Sequence, residues 1–397
     1  MAPYQSLSRV ASWGASATAT QAVLRDNGDG SSTFSCQGRS HRQPGEHSPR
    51  RRASIRIRSP KSILQRWNDW AKPELKHPLN PPKFIELTVN GRAVTASLTP
   101  VRQHDGAFSL QANIPTPRPH ETLRIGPPGS DPTHLKHVSI TRLGPGPSKI
   151  LFSDIDYTLR QWPKNKIAFL WQGLKSKTKQ IFTWVPGTQD VITAIREKGT
   201  HVAAVSSSPW VFQREITKGL QEAATNDAMV IPDLGVHLRS WGDNFLGNRV
   251  ATKVEHMLWV LLNAPKKSEI AFWGDSKEAD LEIYQQIARL IDGGPATSYT
   301  AALKLVKWVS SKQRITDENR VKIMTWAQAV AKQQLTTKAV IISCYDGAEK
   351  KLPKKIASKL TPQENNRFHF YPAGQVGSAQ VMAKMAEIDF AEGTTRL

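Results

Sequence analysis

Two cysteines, Cys36 and Cys344, are all that this 397-residue chain has, and they stand far apart. That excludes a disulfide framework and the paired-cysteine spacing of a zinc site, and it fits a reducing compartment. No apolar run approaches the roughly 18 residues that a membrane span needs, and the first residues lack the apolar core of a secretory signal. The chain is therefore expected to be cytoplasmic or peripheral to a membrane. It has no internal repeat. It is also short of acids: 33 Asp and Glu stand against 54 Lys and Arg, a formal net charge of +21. Such a balance favours nucleic acid, an anionic membrane surface or phosphorylated substrates as partners.

The length suggests two or three domains. Residues 1–60 are rich in Ser, Ala, Gly and Arg, with nine Arg against Asp26, Asp29 and Glu46. They read as a disordered basic tail. Their Arg- and Ser-rich composition resembles an organelle transit peptide, but the early Asp26 and Asp29 weaken that. The run "SPRRRASIRIR" (Ser48 to Arg58) fits a phosphorylation site, a nuclear address, an anionic-lipid patch or a plain solvated tail.

Residues 61–145 form the next expected domain, a small antiparallel β domain of the sandwich kind. Residues 62–72 ("SILQRWNDWAK") give it a short leading amphipathic helix, more suited to core packing than to a membrane anchor. "FIELTVNGRAVTASL" then alternates on a period of two around Asn90-Gly91, a strong hairpin signal. "AFSLQANI", "ETLRIG" and "HVSITRL" add short strands, and Gly144-Pro145-Gly146-Pro147 makes a linker.

From 148 to about 390 the pattern alternates strand and helix. Candidate strands lie at 149–154, 201–206, 269–274, 338–343 and 367–371, and helical patterns at 187–198, 209–223, 252–263, 278–291 and 376–388. Extra helical sequence is inserted at about 300–335. This is an α/β domain with a mainly parallel, Rossmann-like sheet.

In such a sheet, ligands bind beyond the carboxyl ends of the strands. The first strand ends in "DIDYT", which delivers Asp154, Asp156 and Thr158. The second ends in Ser206, Ser207 and Ser208, and the third in "GDSKEAD", with Asp275 and Asp280. Carboxylates crowded at a buried edge repel each other unless something neutralises them. A hard divalent cation such as Mg²⁺ can neutralise Asp154, Asp156 and Asp275 together. Lys253, in the helical pattern before the third strand, can hold an anionic substrate. Acids, metal, hydroxyls and lysine together suggest phosphoryl transfer, with Asp154 attacking in line and Asp156 moving protons. Ser207 and Ser208 fit a helix cap as well as they fit substrate contact. Glu278 and Glu282 read as solvated helix acids, with Glu278 near enough to serve the outer shell of a metal. His201 and His256 read as packed side chains.

Four stretches in this order carry a family resemblance. "DIDYTL" resembles the Asp-x-Asp-x-Thr motif of the haloacid dehalogenase superfamily of phosphohydrolases. Ser206, Lys253 and "GDSKEAD" match its three later motifs. "VSSSPW", the Lys-led helix and "GDSKEADLEIY" closely resemble the catalytic domain of the actin-patch-protein type of phosphatidate phosphatase, over roughly residues 149–292. The resemblance implies a Mg²⁺-dependent enzyme that hydrolyses phosphatidate to diacylglycerol and phosphate through an aspartyl-phosphate. It implies Asp154 as nucleophile, Asp156 as acid and base, and Ser206 and Lys253 as the grip on the phosphoryl group. Asp275 would complete the metal site, with Asp280 supporting it. Tyr157, Thr252, Lys277 and Leu281 depart from the family's Asp, His, Gly and Pro, and Tyr157 alters the mouth of the site. Two rival expectations stand beside this: the same chemistry on a soluble or protein phosphoester, and a non-catalytic adaptor for membrane or nucleic acid.

Overall fold

The computed structural model describes residues 15–42, 84–89, 92–100, 107–117, 124–126, 136–137, 141–161, 183–209, 216, 219–220, 233–239, 249–345, 348, 351 and 360–373. The 62–72 helix, the "SPRRRASIRIR" run, the 376–388 helix and most of the 209–223 helix lie outside the described residues. The chain divides into two compact units. One is Met1–Pro145 with Ser240–Gly242, and the other is Gly146–Arg239 with Asp243–Leu397.

The first unit contains β1 (Ala15–Asp26), β2 (Ser31–Arg42), β3 (Phe84–Val89), β4 (Arg92–Pro100), β5 (Ala107–Pro115), β6 (Arg124–Gly126), β7 (Lys136–His137) and β8 (Thr141–Leu143). They join in the order β7-β6-β3-β4-β5-β2-β1-β8. β3 and β4 pair with Val89 opposite Arg92, as a two-residue connection requires. β4 then leaves β3 and pairs through Leu98–Pro100 with β5. All described pairings here are antiparallel except β1 with β8, which is parallel.

This unit corrects one expectation. Residues 15–42, expected to be disordered, form its longest hairpin. The turn is built at Asp26–Ser31, where Gly28 and Gly30 take the left-handed φ of 80° and 83° that side chains resist. Asp26 Oδ1 accepts the Gly28 N–H at 2.8 Å, and Asp29 Oδ1 accepts the Ser31 N–H at 2.9 Å. Val23, Leu24, Phe34 and Cys36 are buried along the hairpin, with Leu110 and Ile114 of β5 and Leu143 of β8. Small polar residues between these few apolar ones lower the mean hydropathy, and burial runs unbroken over 22–24 and 32–36.

The second unit is built on a six-stranded, all-parallel sheet in the order β11-β10-β9-β12-β13-β14. Its strands are β9 (Lys149–Ser153), β10 (Thr200–Pro209), β11 (Val236–Arg239), β12 (Glu269–Asp275), β13 (Thr336–Cys344) and β14 (Phe368–Pro372). The longer described helices are α1 (Thr188–Glu197), α2 (Arg249–Asn263), α3 (Asp280–Asp292), α4 (Ser298–Lys312) and α5 (Asp317–Ala331). Ile150, Leu151 and Phe152 of β9 and Ile270, Ala271, Phe272 and Trp273 of β12 are buried without a break. Unbroken burial is what strands covered on both faces require. β9 lies between β10 and β12, where the strand order reverses, so the ends of these three strands are the expected ligand edge.

The inserted helices are part of this unit. α4 and α5 pack on each other and on α2 and α3. Lys322 of α5 pairs with Glu255 of α2 at 2.6 Å, and Lys312 of α4 with Glu282 of α3 at 2.5 Å. Among the described residues no helix is long and apolar enough to cross a membrane.

Candidate active site

The first loop starts where β9 ends. The Asp154 N–H still donates to the Trp273 carbonyl at 2.8 Å, which fixes its backbone to β12. The chain then turns tightly: the N–H groups of Leu159 and Arg160 both donate to the Ile155 carbonyl, and the Tyr157 N–H donates to the Arg160 carbonyl at 2.9 Å. The turn holds Tyr157 at a φ of 64°, which is rare for a bulky residue. Asp154, Asp156 and Thr158 are all buried, and Thr158 Oγ1 has no hydrogen-bond partner among the described residues.

Asp154 and Asp156 have different surroundings. Lys253, 2 % exposed on α2, donates from Nζ to Asp154 Oδ1 at 2.6 Å and to Asp280 Oδ1. Asp280 Oδ2 accepts the Asp275 N–H at 3.3 Å. Asp275 Oδ1 accepts the N–H groups of Lys277 at 2.5 Å and Glu278 at 3.0 Å. One oxygen each of Asp154 and Asp275, Oδ2 in both, is buried with no hydrogen-bond partner among the described residues. Asp154, Asp275 and Asp280 each offer a carboxylate oxygen, and these oxygens lie within 4.8 Å of one another. Gly274 makes the close approach possible, since a Cβ there would lie 2.5 Å from Asp280 Oδ2.

Asp156 stands outside this cluster. Arg160, fully buried, donates to its Oδ1 from Nε at 3.0 Å and also from a terminal nitrogen. Ser206 and Ser208 donate to its Oδ2 at 2.8 and 2.5 Å. Ser206 Oγ also accepts the Ser208 N–H at 2.9 Å. Ser207 donates instead to Glu278 Oε2 at 2.9 Å. Asp156 was expected to share the cation with Asp154, Asp275 and Asp280; both its oxygens accept hydrogen bonds, and the carboxylates that gather within 4.8 Å are those of the other three. The serines expected to touch substrate or cap a helix are engaged with acids.

The electrostatics separate the two sets. Burial pushes the Asp154 carboxyl well above the ordinary range, with Asp280, Glu278 and Asp275 adding to it and Lys253 opposing. Asp275 is pushed up to about 8 by burial, then by Asp280 and Glu278. Burial also raises Asp156, but Arg160 and the bonds from Ser208 and Ser206 outweigh it and hold this carboxyl below its usual value. Burial likewise opposes the charge on Lys253, yet Asp154 and Asp280 keep it firmly protonated. The first set therefore lacks positive charge and has spare oxygens, while the second is already balanced. Those donors suit a hard divalent cation, which prefers carboxylate oxygen.

Every residue predicted from the three strand ends is thus brought to one edge, together with Lys253. Arg160 was missed, and its place four residues after Asp156 carries no periodic signal. Glu278 is more than a solvated helix acid, since burial raises its carboxyl and Ser207 donates to it. Tyr345, at the end of β13, donates its hydroxyl to the Tyr157 carbonyl. His201 and His256 bond to Asp233 Oδ2 and the Leu238 carbonyl, and belong to neither set of acids.

Residues 150–296 match the family model described as phosphatidate phosphatase APP1, catalytic domain. Comparison with curated proteins finds no match. The matched stretch begins on β9 and ends at the short turn Pro295–Thr297 before α4, which takes in every residue of the acid clusters. Over this stretch the resemblance read from the sequence is borne out: the segment is a catalytic domain of the phosphatidate phosphatase kind, a phosphoric monoester hydrolase.

Proposed function

We propose that this chain is a Mg²⁺-dependent phosphatidate phosphatase that works through an aspartyl-phosphate on Asp154. The match of residues 150–296 supports the substrate class. The observation that carries the chemistry is the pair of buried oxygens on Asp154 and Asp275 that have no hydrogen-bond partner among the described residues, set beside a buried lysine. Asp154 and Asp275 would hold the cation. When bound, it would neutralise the buried acids and withdraw charge from the phosphoryl oxygens. Asp280 fixes Lys253 and the Asp275 backbone, so it acts as a positioning residue.

In the first step an Asp154 oxygen forms a bond to phosphorus while the bond to the diacylglycerol oxygen breaks. Lys253 offsets the charge on the transferring group. Asp156, a carboxylate in the free site, would take up a proton from solvent as the substrate dianion enters and pass it to the leaving oxygen. In the second step water attacks the phosphorus of the aspartyl-phosphate, the bond to Asp154 breaks, and Asp156 takes the proton of that water. Phosphate leaves, and Asp156 returns its proton to solvent, which restores the carboxylate. Arg160, Ser206 and Ser208 keep the Asp156 carboxylate aimed between turnovers. The net charge of +21 supports attraction to an anionic lipid surface, at about 1 kcal/mol per well-placed Lys or Arg.

The test is phosphate release from short-chain phosphatidate in mixed micelles, with Mg²⁺ or with EDTA, for wild type and Asp154→Asn. The proposal expects metal-dependent release in wild type and a loss of at least roughly a thousandfold in the variant, since the nucleophile is removed. Release only from soluble monoesters would make this a phosphatase of another substrate. No release from any ester would leave the adaptor reading, for which Asp154→Asn keeps binding intact.

A further inference from the structure

Two of the residues that depart from the family pattern, Tyr157 and Lys277, are 120 positions apart in sequence and meet in space. Lys277 Nζ lies 5.2 Å from the centre of the Tyr157 ring and 5.0 Å from that of Tyr345. The two rings meet edge to face at 5.6 Å. An ammonium at this range from two ring faces is attracted by both.

The arrangement is built rather than incidental. The left-handed backbone of Tyr157 costs free energy and persists only where its surroundings enforce it. Here the Tyr345 hydroxyl bonds its carbonyl, and the Arg160 carbonyl takes its N–H. Tyr345 is tied in turn, since its N–H donates to Ser276 Oγ at 3.0 Å. The Lys277 N–H donates to Asp275 Oδ1, so its backbone is anchored on an acid of the site while its side chain is exposed.

The charges of the site say what this lysine is for. Asp154, Asp156, Asp275, Asp280 and Glu278 are acids, and Lys253 and Arg160 are the buried cations among them. A divalent cation still leaves one negative charge in excess, which opposes the entry of a phosphomonoester dianion. Lys277 brings the edge to neutrality.

We propose that Lys277, seated on the rings of Tyr157 and Tyr345, is a substrate-binding residue that takes an oxygen of the phosphomonoester group. This rests on the phosphatase reading above. The shared chemistry is the phosphoryl group itself, whether it comes from a lipid headgroup or a water-soluble ester. Lys253 serves the nucleophile side of that group, and Lys277 serves its exposed side.

The test compares wild type with Lys277→Met, which keeps an apolar stem over the rings, and with Lys277→Arg, which keeps the charge. The substrates are phosphatidate in mixed micelles and para-nitrophenyl phosphate in solution, and calorimetry measures orthophosphate binding in Mg²⁺ buffer. Lys277→Met should raise KM for both esters by roughly tenfold with kcat within about twofold, as expected for one charge-assisted hydrogen bond at an exposed position. Orthophosphate binding should weaken by the same factor, and Lys277→Arg, which keeps a charge that can stack on the rings, should lose clearly less than Lys277→Met. An unchanged KM overturns the inference. So does an equal loss in both variants, which would mean packing rather than charge. A loss confined to micelles also overturns it, because the lysine would then be meeting the lipid surface. If wild type hydrolyses neither ester, the phosphatase reading fails, and orthophosphate binding alone decides: weaker in Lys277→Met supports the inference, equal refutes it.

Discussion

Replacing Lys253 with Met removes one buried charge and keeps a side chain of similar length. In the wild type this ammonium is shared between Asp154 and Asp280, all three being buried. Removing one partner of a buried ion pair costs about 3–5 kcal/mol, because the other charge is left without compensation. The carboxylates can reduce that cost by taking up a proton, so the lower end, about 3 kcal/mol at neutral pH, is the expectation. For a unit of this size that is a fall in melting temperature of roughly 6–12 °C. Two signatures separate this cause from ordinary loss of packing. First, the variant's carboxyls are raised in the fold, so their penalty applies above their folded values and is relieved as pH falls through them. The gap from wild type should therefore narrow between pH 7.5 and pH 5. Second, a cation that binds the folded site adds stability, about 2.7 kcal/mol at a hundred times its dissociation constant, and it should do more for the variant than for wild type. Urea unfolding at both pH values, with Mg²⁺ or with EDTA, reads all three quantities. A loss under about 1 kcal/mol, or a gap unmoved by pH and Mg²⁺, would refute the reasoning.

Two further outcomes follow from the geometry. Gly274→Ala would set its Cβ 2.5 Å from Asp280 Oδ2 and 2.6 Å from Tyr284 Cε2, so it should cost about 1–3 kcal/mol and displace the residue that fixes Lys253. Melting curves with phosphatase assays check this, and a fully active variant of wild-type stability would contradict it. His237 of β11 is fully buried against the Leu234 carbonyl, and burial lowers it from 6.5 to about 4. Its ring stays neutral in the fold while the unfolded chain takes up a proton below about 6.5, so stability falls as pH drops from 6.5 towards 4, by roughly 3 kcal/mol in all. His237→Phe keeps a ring against His256 and Trp259 and should flatten this part of the curve. Parallel curves for the two proteins would refute it.

How much of this could be read in advance follows from the residues themselves. The strands β9, β10, β12, β13 and β14 were legible because they are apolar runs bounded by polar turns. Asp154, Asp156, Ser206, Asp275 and Asp280 followed from the rule that parallel strands end at a ligand edge, and Lys253 from the need for a cation to hold an anionic substrate beside them. The β1–β2 hairpin was not legible, because Ser, Thr and Arg between Val23, Phe34 and Cys36 give the composition of a tail. The inserted helices could be read, but not that they pack on α2 and α3, since a helix pattern does not name its neighbour. The different partners of Asp154 and Asp156 were hidden as well. Two carboxylates one residue apart look alike in sequence. The tight turn through Tyr157, with Arg160 folded back on Asp156, is what sends them to different partners.

The central claim is that Asp154 carries the phosphoryl group. Wild type and Asp156→Asn would be mixed with phosphatidate micelles in Mg²⁺, quenched in acid within the first turnover, digested and analysed by mass spectrometry. The account predicts a phosphoryl group on the peptide that contains Asp154, formed in wild type within the first turnover and formed more slowly in Asp156→Asn, whose leaving oxygen has lost its proton donor. Phosphate release without any phosphorylated Asp154, or with the phosphoryl group found on Ser206 instead, would contradict it.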